Sequence, residues 1–396
     1  MKRTYSTLPA LSDYKAWAEV SAAALIRNYR YISDLMQKKA PGARMIAVVK
    51  ADGYCHSNEI CVPAFLEAGC DFFAVSSIEE AVAVREISDK ARKHPDVLIL
   101  GYTPPSAAET LARYDIIQCL ISAEYAAELS RYAGRLKRAV RVHVKVDTGM
   151  NRVGFAAHSA EEIEAAADQI ADAVALPGLR AEGIFSHFAR SDEDLSIDPD
   201  TDLNRIQFER FMAVDEALRA RGVALPMRHI CNGAAAIRFP AEYALEGVRF
   251  GLWLYGVGTD EFDEPLVPAL RLKTLVAHLH PLLPGEGVGY GSTYRSEIPR
   301  VLATLPIGYA DGFLRAYRDG TVTVHTKEGD VTAPLVGRIC MDQCMIDVTG
   351  LPVSVGDQVT LFGVSANELA ALAARGGTIE HEVLCLISSR IPRIRV

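Results

Sequence analysis

The sequence lacks any apolar run that approaches the roughly 20 residues needed to span a bilayer. Met1 to Tyr14 also lack the apolar core of a secretory signal peptide. Positive charge is not in excess: the formal net charge is -8, whereas a nucleic-acid-binding protein would present a basic face. We therefore expect a cytoplasmic protein that binds neither membranes nor nucleic acid.

The eight cysteines show neither the spacing of a disulfide framework nor that of a zinc site. Cys340 and Cys344 are the closest pair, and no second pair or nearby histidine completes a set of zinc ligands. In a chain of 396 residues, cysteines scattered in this way are typical of reduced thiols. We expect no metal.

Internal repeats and low-complexity segments are absent too, and 396 residues are too many for one ordinary core, so we expect two domains. In the first part of the chain, apolar runs alternate with helical stretches such as Glu161–Ala175 and Asn204–Ala220. This alternation favours a parallel (β/α)₈ barrel, although an open doubly wound sheet fits it as well. The eight predicted strands are Met45–Val49, Phe72–Val75, Val97–Leu100, Ile116–Ile121, Val140–Val146, Leu179–Phe188, Met227–Cys231 and Val248–Leu252.

The pattern changes after about residue 262. Asp260–Pro268 is acidic, carries two prolines and predicts a linker. Beyond it we expect a mainly β domain over residues 263–396, to which residues 1–14 could also belong, and a barrel over residues 15–262. Lys327–Asp330 predicts a hairpin turn and Asn367–Ala374 a late helix. The predicted strands of this domain are Leu270–Leu279, Val301–Pro306, Thr321–Thr326, Val331–Val336, Cys344–Val348 and Gln358–Phe362.

Polar side chains follow several of the predicted barrel strands, and the carboxyl ends of such strands form the active sites of barrels. Any one of these residues alone is better explained as a helix cap or a surface group. Lysine and arginine are rarely buried without a partner, so that explanation weakens as they accumulate. In order, the strand ends supply Lys50, Lys145, Arg152, His187, Asn232, Arg249 and Gly251.

Lys50 ends the apolar run Met45–Val49. A lysine at the mouth of such a strand is expected to be partly desolvated, which favours the uncharged amine that forms a Schiff base. If Lys50 stood alone, a surface lysine would be the usual explanation.

Eight blocks in this sequence resemble those of the alanine racemase family. The first, Ala47–Tyr54, resembles the family's lysine motif for pyridoxal 5'-phosphate (PLP), and the second is Val146–Phe155. The blocks follow the family's order through nearly the whole chain. The other six are Phe185–Ala189, Val248–Gly251, Gly289–Tyr294, Pro306–Gly312, Cys340–Gln343 and Ile391–Arg393.

The resemblance implies a TIM barrel followed by a β domain, PLP as cofactor, and a homodimer whose active sites are shared between subunits. It implies an isomerase that interconverts L- and D-alanine by a two-base mechanism. Lys50 would hold PLP and move a proton on one face, and Tyr290, contributed across the dimer, would do so on the other face.

Further roles are implied for residues around the cofactor. His187 would hydrogen-bond the Tyr290 hydroxyl, since a phenol is a poor base at neutral pH without help. Arg152 would lie near the PLP phenolate and the substrate carboxylate, and Lys145 is a candidate for the carbamylation found in many family members. Arg249 would face the pyridine nitrogen and disfavour its protonation, because two cations in contact repel.

The resemblance also implies a phosphate site and a substrate site. The residues assigned to the cofactor in this way are Tyr54, Asn232, Gly233, Gly251, Leu252 and Ser389, in addition to Lys50 and Arg249. The substrate side would be lined by Tyr309, Met341 and Asp342, with Arg152.

The sequence departs from the family pattern at several of these positions. Gly233 stands where the family usually has serine, which removes a hydroxyl donor to the phosphate. Ser389 stands where a tyrosine is usual, which would enlarge the space for the substrate side chain. Cys55 and Ser57 replace glycines. A racemase that accepts serine or other amino acids larger than alanine is therefore the alternative to a strict alanine racemase.

A fold type III PLP decarboxylase with the same two domains is a further alternative. Such enzymes carry a glycine-rich phosphate loop and a C-terminal catalytic cysteine motif, and neither is found here. Cys340 lies instead inside a racemase block. A non-catalytic PLP carrier would consist of a barrel alone, and a binding module that kept this fold would not need Lys50.

Overall fold

The computed structural model describes residues 13–192, 201–258, 262 and 266–396. Most of the predicted linker, Asp260–Pro268, and residues 1–12 lie outside this range. The chain forms two compact units. One consists of Ile26–Gly53 and Asn58–Leu254, and the other of Tyr54–Ser57, Tyr255–Val396 and the start of the chain through Leu25.

The first unit contains a parallel sheet of eight strands that forms a nearly closed barrel. Backbone hydrogen bonds from Glu246 N to Arg228 O and from Arg249 N to Cys231 O, both 3.1 Å, join the last strand to the first. The predicted (β/α)₈ barrel is therefore confirmed, and the open sheet is excluded. In spatial order the strands are Gly247–Phe250, Arg44–Val48, Phe72–Val75, Asp96–Ile99, Ile117–Leu120, Val140–Asp147, Leu179–Phe185 and Met227–His229. The two-residue strand Phe155–Ala156 pairs with Val140–Asp147 outside this order.

Helices separate most of these strands along the chain. Several begin at a serine or aspartate side chain that accepts a hydrogen bond from the first helical turn, as Ser77, Ser122, Ser159 and Asp202 do. The described helices of this part of the chain are Ala22–Lys39, Asn58–Ala68, Ile78–Lys90, Ala108–Arg113, Ala123–Ala133, Ala160–Val174, Leu203–Ala220 and Gly233–Arg238. None of the helices that the structure describes is long and apolar enough to cross a membrane.

The amino ends of the barrel strands carry a network of ion pairs. Asp96 accepts hydrogen bonds from Arg44 and Arg141, both 2.6 Å long. Burial opposes ionisation of the Asp96 carboxyl, but the two arginines outweigh it and lower its pKa. Arg141 also pairs with Glu182 at 2.7 Å, and Arg44 with Asp71 at 3.0 Å. This end of the barrel therefore contributes to stability.

The second unit is built on a mixed sheet of nine strands, and the predicted mainly β domain is confirmed. A two-stranded ribbon, Gly287–Val288 with Tyr294–Arg295, and the helices Ala366–Gly376 and Glu380–Cys385 accompany it. In spatial order the nine strands are His278–Leu282, Arg300–Leu305, Cys344–Asp347, Gly329–Val336, Thr321–Thr326, Gln358–Phe362, Leu270–Leu275, Ala16–Val20 and Arg393–Arg395.

Three local findings qualify the sequence predictions for this unit. The prediction of a single strand over Leu270–Leu279 is wrong, because the structure has two strands there, Leu270–Leu275 and His278–Leu282. The backbone changes its pairing partner between them, where Ala277 N donates to Thr304 O. The predicted turn is confirmed, because Thr326 pairs with Gly329 and leaves a two-residue connection. Strand Ala16–Val20 pairs within this sheet although it precedes the barrel in sequence.

All eight cysteines are free thiols. Among the described residues, no group of three or more His, Cys, Asp or Glu side chains is arranged to hold a metal ion.

Candidate active site

Positively charged side chains converge at the carboxyl ends of the barrel strands. Lys145, in strand Val140–Asp147, is 4% exposed. Its pKa is lowered to about 7, first by burial and then by the positive charge of Arg249, with a smaller effect of Arg152. The positive charge of Lys50 likewise lowers the pKa of His187. The structure therefore brings together cations that the sequence supplies from separate strands.

Lys50 opens a left-handed turn, Lys50–Tyr54. Ala51, Asp52 and Gly53 have φ of 53°, 54° and 65°, and such angles cost residues other than glycine on the order of 1 kcal/mol each. The expected desolvation of Lys50 is wrong for the single chain, since its side chain is exposed. The reason is its position, one residue beyond the last buried residue of the apolar run.

Three hydrogen bonds hold this strained turn in place. Asn58 N donates to Asp52 Oδ1 at 2.7 Å, and Asn58 Nδ2 donates to Val49 O at 3.1 Å. Ala51 N donates to Glu80 Oε1 at 2.6 Å. The contacts come from two later helices, so the position of Lys50 depends on packing and not on local propensity.

Arg249 is buried, 3% exposed, and held by five hydrogen bonds. Nη1 donates to His229 Nδ1 at 2.7 Å and to His229 O at 3.1 Å. Nη2 donates to His187 Nδ1, Ser186 O and Ile230 O, each at 2.8 Å. Burial lowers the Arg249 pKa to about 10, so the group stays a cation at neutral pH. With both terminal nitrogens engaged, the remaining donor of the guanidinium is the Nε–H.

His187 is held neutral by its surroundings. Its pKa is lowered well below the ordinary value, first by burial and then by the charges of Arg249, Lys145, Arg152 and Lys50. Because Nδ1 accepts from an arginine, the ring proton lies on Nε2. His187 is therefore a hydrogen-bond donor at Nε2. Its expected bond to the Tyr290 hydroxyl stays a prediction, because Tyr290 belongs to the other unit.

The loop that carries Arg152 is organised by Asp147, to which the sequence analysis gave no separate role. Asp147 Oδ1 accepts from Gly149 N and Asn151 N, both at 3.0 Å, and Oδ2 accepts from Arg152 N at 2.9 Å. Burial opposes ionisation of this carboxyl, but the three N–H groups outweigh it and lower its pKa. The available signal was an aspartate at the very end of a buried strand, with a glycine two residues later.

The predicted phosphate-binding segments lie at neighbouring strand ends. Asn232 Oδ1 accepts from Ala235 N at 3.0 Å and caps the short helix Gly233–Arg238, and Asn232 bridges to Arg249. A Cβ at Gly233 would lie 3.1 Å from Phe250 Cδ1 and 3.2 Å from Trp253 Cε3. The space that the usual serine would need is thus occupied by aromatic rings. Gly251 and Leu252 follow the adjacent strand directly.

Tyr54 lies in the second unit, where it is buried. Its ring centroid is 5.0 Å from that of Tyr255 and 5.8 Å from that of His381. Burial, with a contribution from Cys385, raises the pKa of the Tyr54 hydroxyl, which therefore stays protonated and can donate.

The second unit brings together three of the four predicted substrate residues, whereas Arg152 belongs to the barrel unit. Tyr309 N donates to Cys340 O at 3.1 Å, which joins the loop of Tyr309 to that of Met341 and Asp342. Arg390 Nη2 donates to Asp342 Oδ1 at 2.8 Å and pairs with the buried Asp311 at 3.4 Å.

Ser389, next to Arg390, is exposed, as are Tyr309, Met341 and Tyr290, the last at 70%. Asp311 and Arg390 were not predicted from the sequence, although Asp311 lies in the block Pro306–Gly312 and Arg390 directly precedes Ile391–Arg393.

Comparison with known proteins agrees with the blocks quoted above. The family models for the alanine racemase N-terminal domain and C-terminal domain match residues 20–259 and 269–395. The alanine racemase of Desulfovibrio desulfuricans is 41% identical over an alignment of 389 residues, which covers 97% of this chain and 99% of that protein.

Solved structures give the same result. The alanine racemase of Clostridium difficile 630 has a TM-score of 0.84 and 31% identity, over 97% of this chain and 96% of that one. The histidine racemase of Leuconostoc mesenteroides has a TM-score of 0.81 and 27% identity, over 96% of this chain and 98% of that one. Since matches to both domains extend over nearly the whole sequence, the chain belongs to the alanine racemase family and is an amino-acid racemase, an isomerase.

Proposed function

We propose that this protein is a PLP-dependent racemase that interconverts L- and D-alanine, with Lys50 and Tyr290 as the two proton carriers. The observation that carries the proposal is the convergence of cations on His187, whose pKa they lower together. Four basic side chains, two of them arginines, gather around one neutral histidine, and their positive charge requires anions for balance. The phosphate and phenolate of PLP and the carboxylate of an amino acid would supply them.

The residues present fit PLP. Lys50 would hold it covalently, and the remaining Nε–H of Arg249 is the donor available to its pyridine nitrogen. Backbone at Asn232–Gly233 and Gly251–Leu252, the protonated Tyr54 hydroxyl and Ser389 would hold its phosphate. When bound, PLP supplies an electron sink that acidifies the α proton of an amino acid.

The proton-moving residues would act from opposite faces of the substrate. Lys50 would remove or return the α proton on one face, and the Tyr290 oxygen would do so on the other. His187, with its proton on Nε2, would donate to that oxygen and favour its proton-accepting form. Arg152, held by the Asp147-centred loop, would bind the substrate carboxylate together with the chain around Met341 and Asp342. Tyr309 would line the same side.

We further propose that Lys145 is carbamylated. Because its pKa lies at about 7, a large fraction of the amine is uncharged at neutral pH. That amine can add to CO₂ and lose a proton, giving a carbamate. The product is an anion, so the repulsion that Arg249 and Arg152 exert on the lysine cation would become attraction.

A homodimer with shared sites is also proposed, because Tyr290 and Met341, 70% and 54% exposed, are unusually open for an aromatic and a thioether. We place the domain boundary near residue 262, which is supported by the family matches that end at 259 and resume at 269. A cytoplasmic location, with neither nucleic acid nor membrane as partner, remains part of the proposal.

Mixing two inactive variants tests the function and the shared site together. Lys50→Ala and Tyr290→Phe should each racemise L-alanine at least about 10²-fold more slowly than wild type. Mixed, dissociated and reassembled, they should regain activity, because a hybrid dimer has one site with both native residues. Chiral chromatography measures D-alanine, and borohydride reduction should attach the cofactor to the Lys50 peptide. No label at Lys50, or no D-amino acid, would refute the proposal.

The second candidate is a racemase that prefers serine or a larger amino acid, which is favoured by the exposed Ser389 beside the fixed Arg390. The histidine racemase of similar fold supports the view that specificity varies on this scaffold. We expect Ser389→Tyr to raise the ratio of kcat/KM for L-alanine over L-serine roughly tenfold. Ser389→Ala is the matched control for the hydroxyl. An unchanged ratio in Ser389→Tyr contradicts this specificity.

A further inference from the structure

Three buried side chains form a hydrogen-bonded chain across the barrel interior. Arg249 Nη1 lies 2.7 Å from His229 Nδ1, and His229 Nε2 lies 3.0 Å from His143 Nδ1. The three residues come from the strands Gly247–Phe250, Met227–His229 and Val140–Asp147. His143 lies two residues before Lys145, deeper in the barrel than the strand ends, and has had no role so far.

The direction of this chain follows from the donor at its end. A guanidinium can only donate, so Nδ1 of His229 must accept and the ring proton must lie on Nε2. His229 therefore donates to His143 Nδ1, which places the proton of His143 on its Nε2. Burial holds both rings neutral: it lowers the His143 pKa to about 3, and with the charges of Arg249 and Lys145 it lowers that of His229 well below its usual value.

Packing fixes the rings in this arrangement. The rings of Phe185 and His229 stack with centroids 4.8 Å apart and planes at 4°. Phe72 meets His143 edge-on at 6.1 Å. A Cβ at Gly183 would come within 2.7 Å of His143 Cε1, so a glycine is required beside the imidazole. A ring flip is thereby disfavoured as a way to change the hydrogen-bond direction.

Loss of the acceptor at His143 would leave the His229 Nε2–H buried without a partner. The ring could escape that cost only by shifting toward another acceptor or by moving its proton to Nδ1, where it would face an N–H of Arg249 and lose that hydrogen bond. Either response weakens the contact that holds one side of the guanidinium. The other side donates to His187, so a displaced Arg249 also disturbs the donor proposed for Tyr290.

We propose that His143 is a positioning residue of the racemase: it accepts the hydrogen bond from His229 Nε2–H, holds that ring in place, and so supports the contact that fixes the Arg249 guanidinium. His143 itself touches no reacting group. The inference deepens the proposed function, because the catalytic consequence requires Arg249 to face the cofactor. The hydrogen-bond direction itself can be tested in the protein without PLP.

Nitrogen NMR of histidine-labelled apoprotein tests the chain directly. We expect His229 as the Nε2–H form, with a scalar coupling across the hydrogen bond to His143 Nδ1. Absence of that coupling, or a His229 proton on Nδ1, overturns the proposal without any variant. This measurement remains decisive even if the protein proves not to racemise amino acids.

Two substitutions test the catalytic consequence. His143→Leu removes the acceptor, and we expect it to change the nitrogen chemical shifts of His229 as that ring moves, to shift the absorption of bound PLP and to lower kcat about tenfold with little change in KM. His143→Asn offers an amide oxygen near the position of Nδ1 and should restore the hydrogen bond from His229 Nε2–H and most of kcat. Phe72→Leu removes only the edge contact with His143 and should leave the tautomer unchanged.

The outcomes distinguish the positioning role of His143 from the proposed racemase function. If folded His143→Leu keeps the wild-type nitrogen chemical shifts of His229 and the wild-type kcat, His143 has no positioning role. The same holds if His143→Asn is folded and as impaired as the leucine variant. If wild type fails to label at Lys50 while the His229–His143 coupling is present, the proposed function fails and the hydrogen-bond chain stands.

Discussion

Lys145 is the residue whose charge the fold changes most clearly. Burial beside two guanidinium groups lowers its pKa from 10.5 to about 7. Between these two values the unfolded chain binds one proton more than the folded chain, so stability rises with pH across this range. Below about pH 7 both states are protonated, and the folded state carries the full cost of a buried charge.

We predict that Lys145→Met raises the free energy of unfolding by roughly 3 kcal/mol near pH 6 and by less near pH 10. Urea titrations in CO₂-free buffer measure both values. Lys50→Met, which changes an exposed lysine of the same site, should give a small and equal effect at both pH values. If Lys145→Met raises the free energy of unfolding equally at both pH values, the charge of Lys145 does not limit stability.

The charged residues of the site could be predicted, whereas the residues behind them could not. Lys50 directly follows an apolar run, and the family blocks contain it together with Arg152, His187 and Arg249. His143 lies within such a run and looks like any histidine of a strand. Its proposed role depends on a 3.0 Å contact to His229, which lies 86 residues away in sequence. No local sequence pattern contains such a contact.

Among the elements, the barrel strands were predicted to within three residues at each end. Strands buried on both faces are continuous apolar runs, which a sequence displays directly. Strand Ala16–Val20 was not predicted, because its partners Leu270–Leu275 and Arg393–Arg395 lie at the far end of the chain. Pairing over such distances is set by tertiary packing and not by local composition.

The left-handed turn after Lys50 is the element with the clearest link to function. Its backbone strain is offset by contacts from later helices, among them the 2.7 Å bond from Asn58 N to Asp52 Oδ1. Strain that persists only because its surroundings over-determine it is sensitive to the loss of one contact. The sequence alone gave no sign of it, since Lys50–Tyr54 contains a single glycine.

We predict that Asp52→Ala lowers the free energy of unfolding by about 1 kcal/mol and kcat by about tenfold, because the turn relaxes and Lys50 moves. Asp52→Asn keeps an oxygen acceptor at the same place and should retain most of both. Guanidinium titration and the rate of L-alanine racemisation are the measurements. Equal losses in the two variants would indicate that the carboxylate charge matters and the hydrogen bond does not.

On the scale of the barrel unit, charge is divided between the two ends of the strands. The carboxyl ends gather cations that a ligand would have to balance, and the amino ends carry pairs that balance one another. Asp96 illustrates the second arrangement, with Arg44 and Arg141 each 2.6 Å away. In barrels of this type the first end serves chemistry and the second serves stability.

Substitution at Asp96 tests that division. Asp96→Asn leaves two partly buried arginines without their shared partner, and we expect the free energy of unfolding to fall by roughly 2 kcal/mol. Folding lowers the pKa of Asp96 from its ordinary value of 3.8. Its contribution to the free energy of unfolding is therefore fully present above pH 3.8 and is lost as the pH falls through the pKa of the folded state. The free energy of unfolding of the variant should therefore differ from that of wild type at neutral pH and converge with it in acid.

At temperatures where both are folded, kcat and PLP binding should be unchanged, since the substitution lies at the opposite end of the strands from Lys50. A loss of kcat in folded Asp96→Asn would mean that the two ends are coupled through the strands.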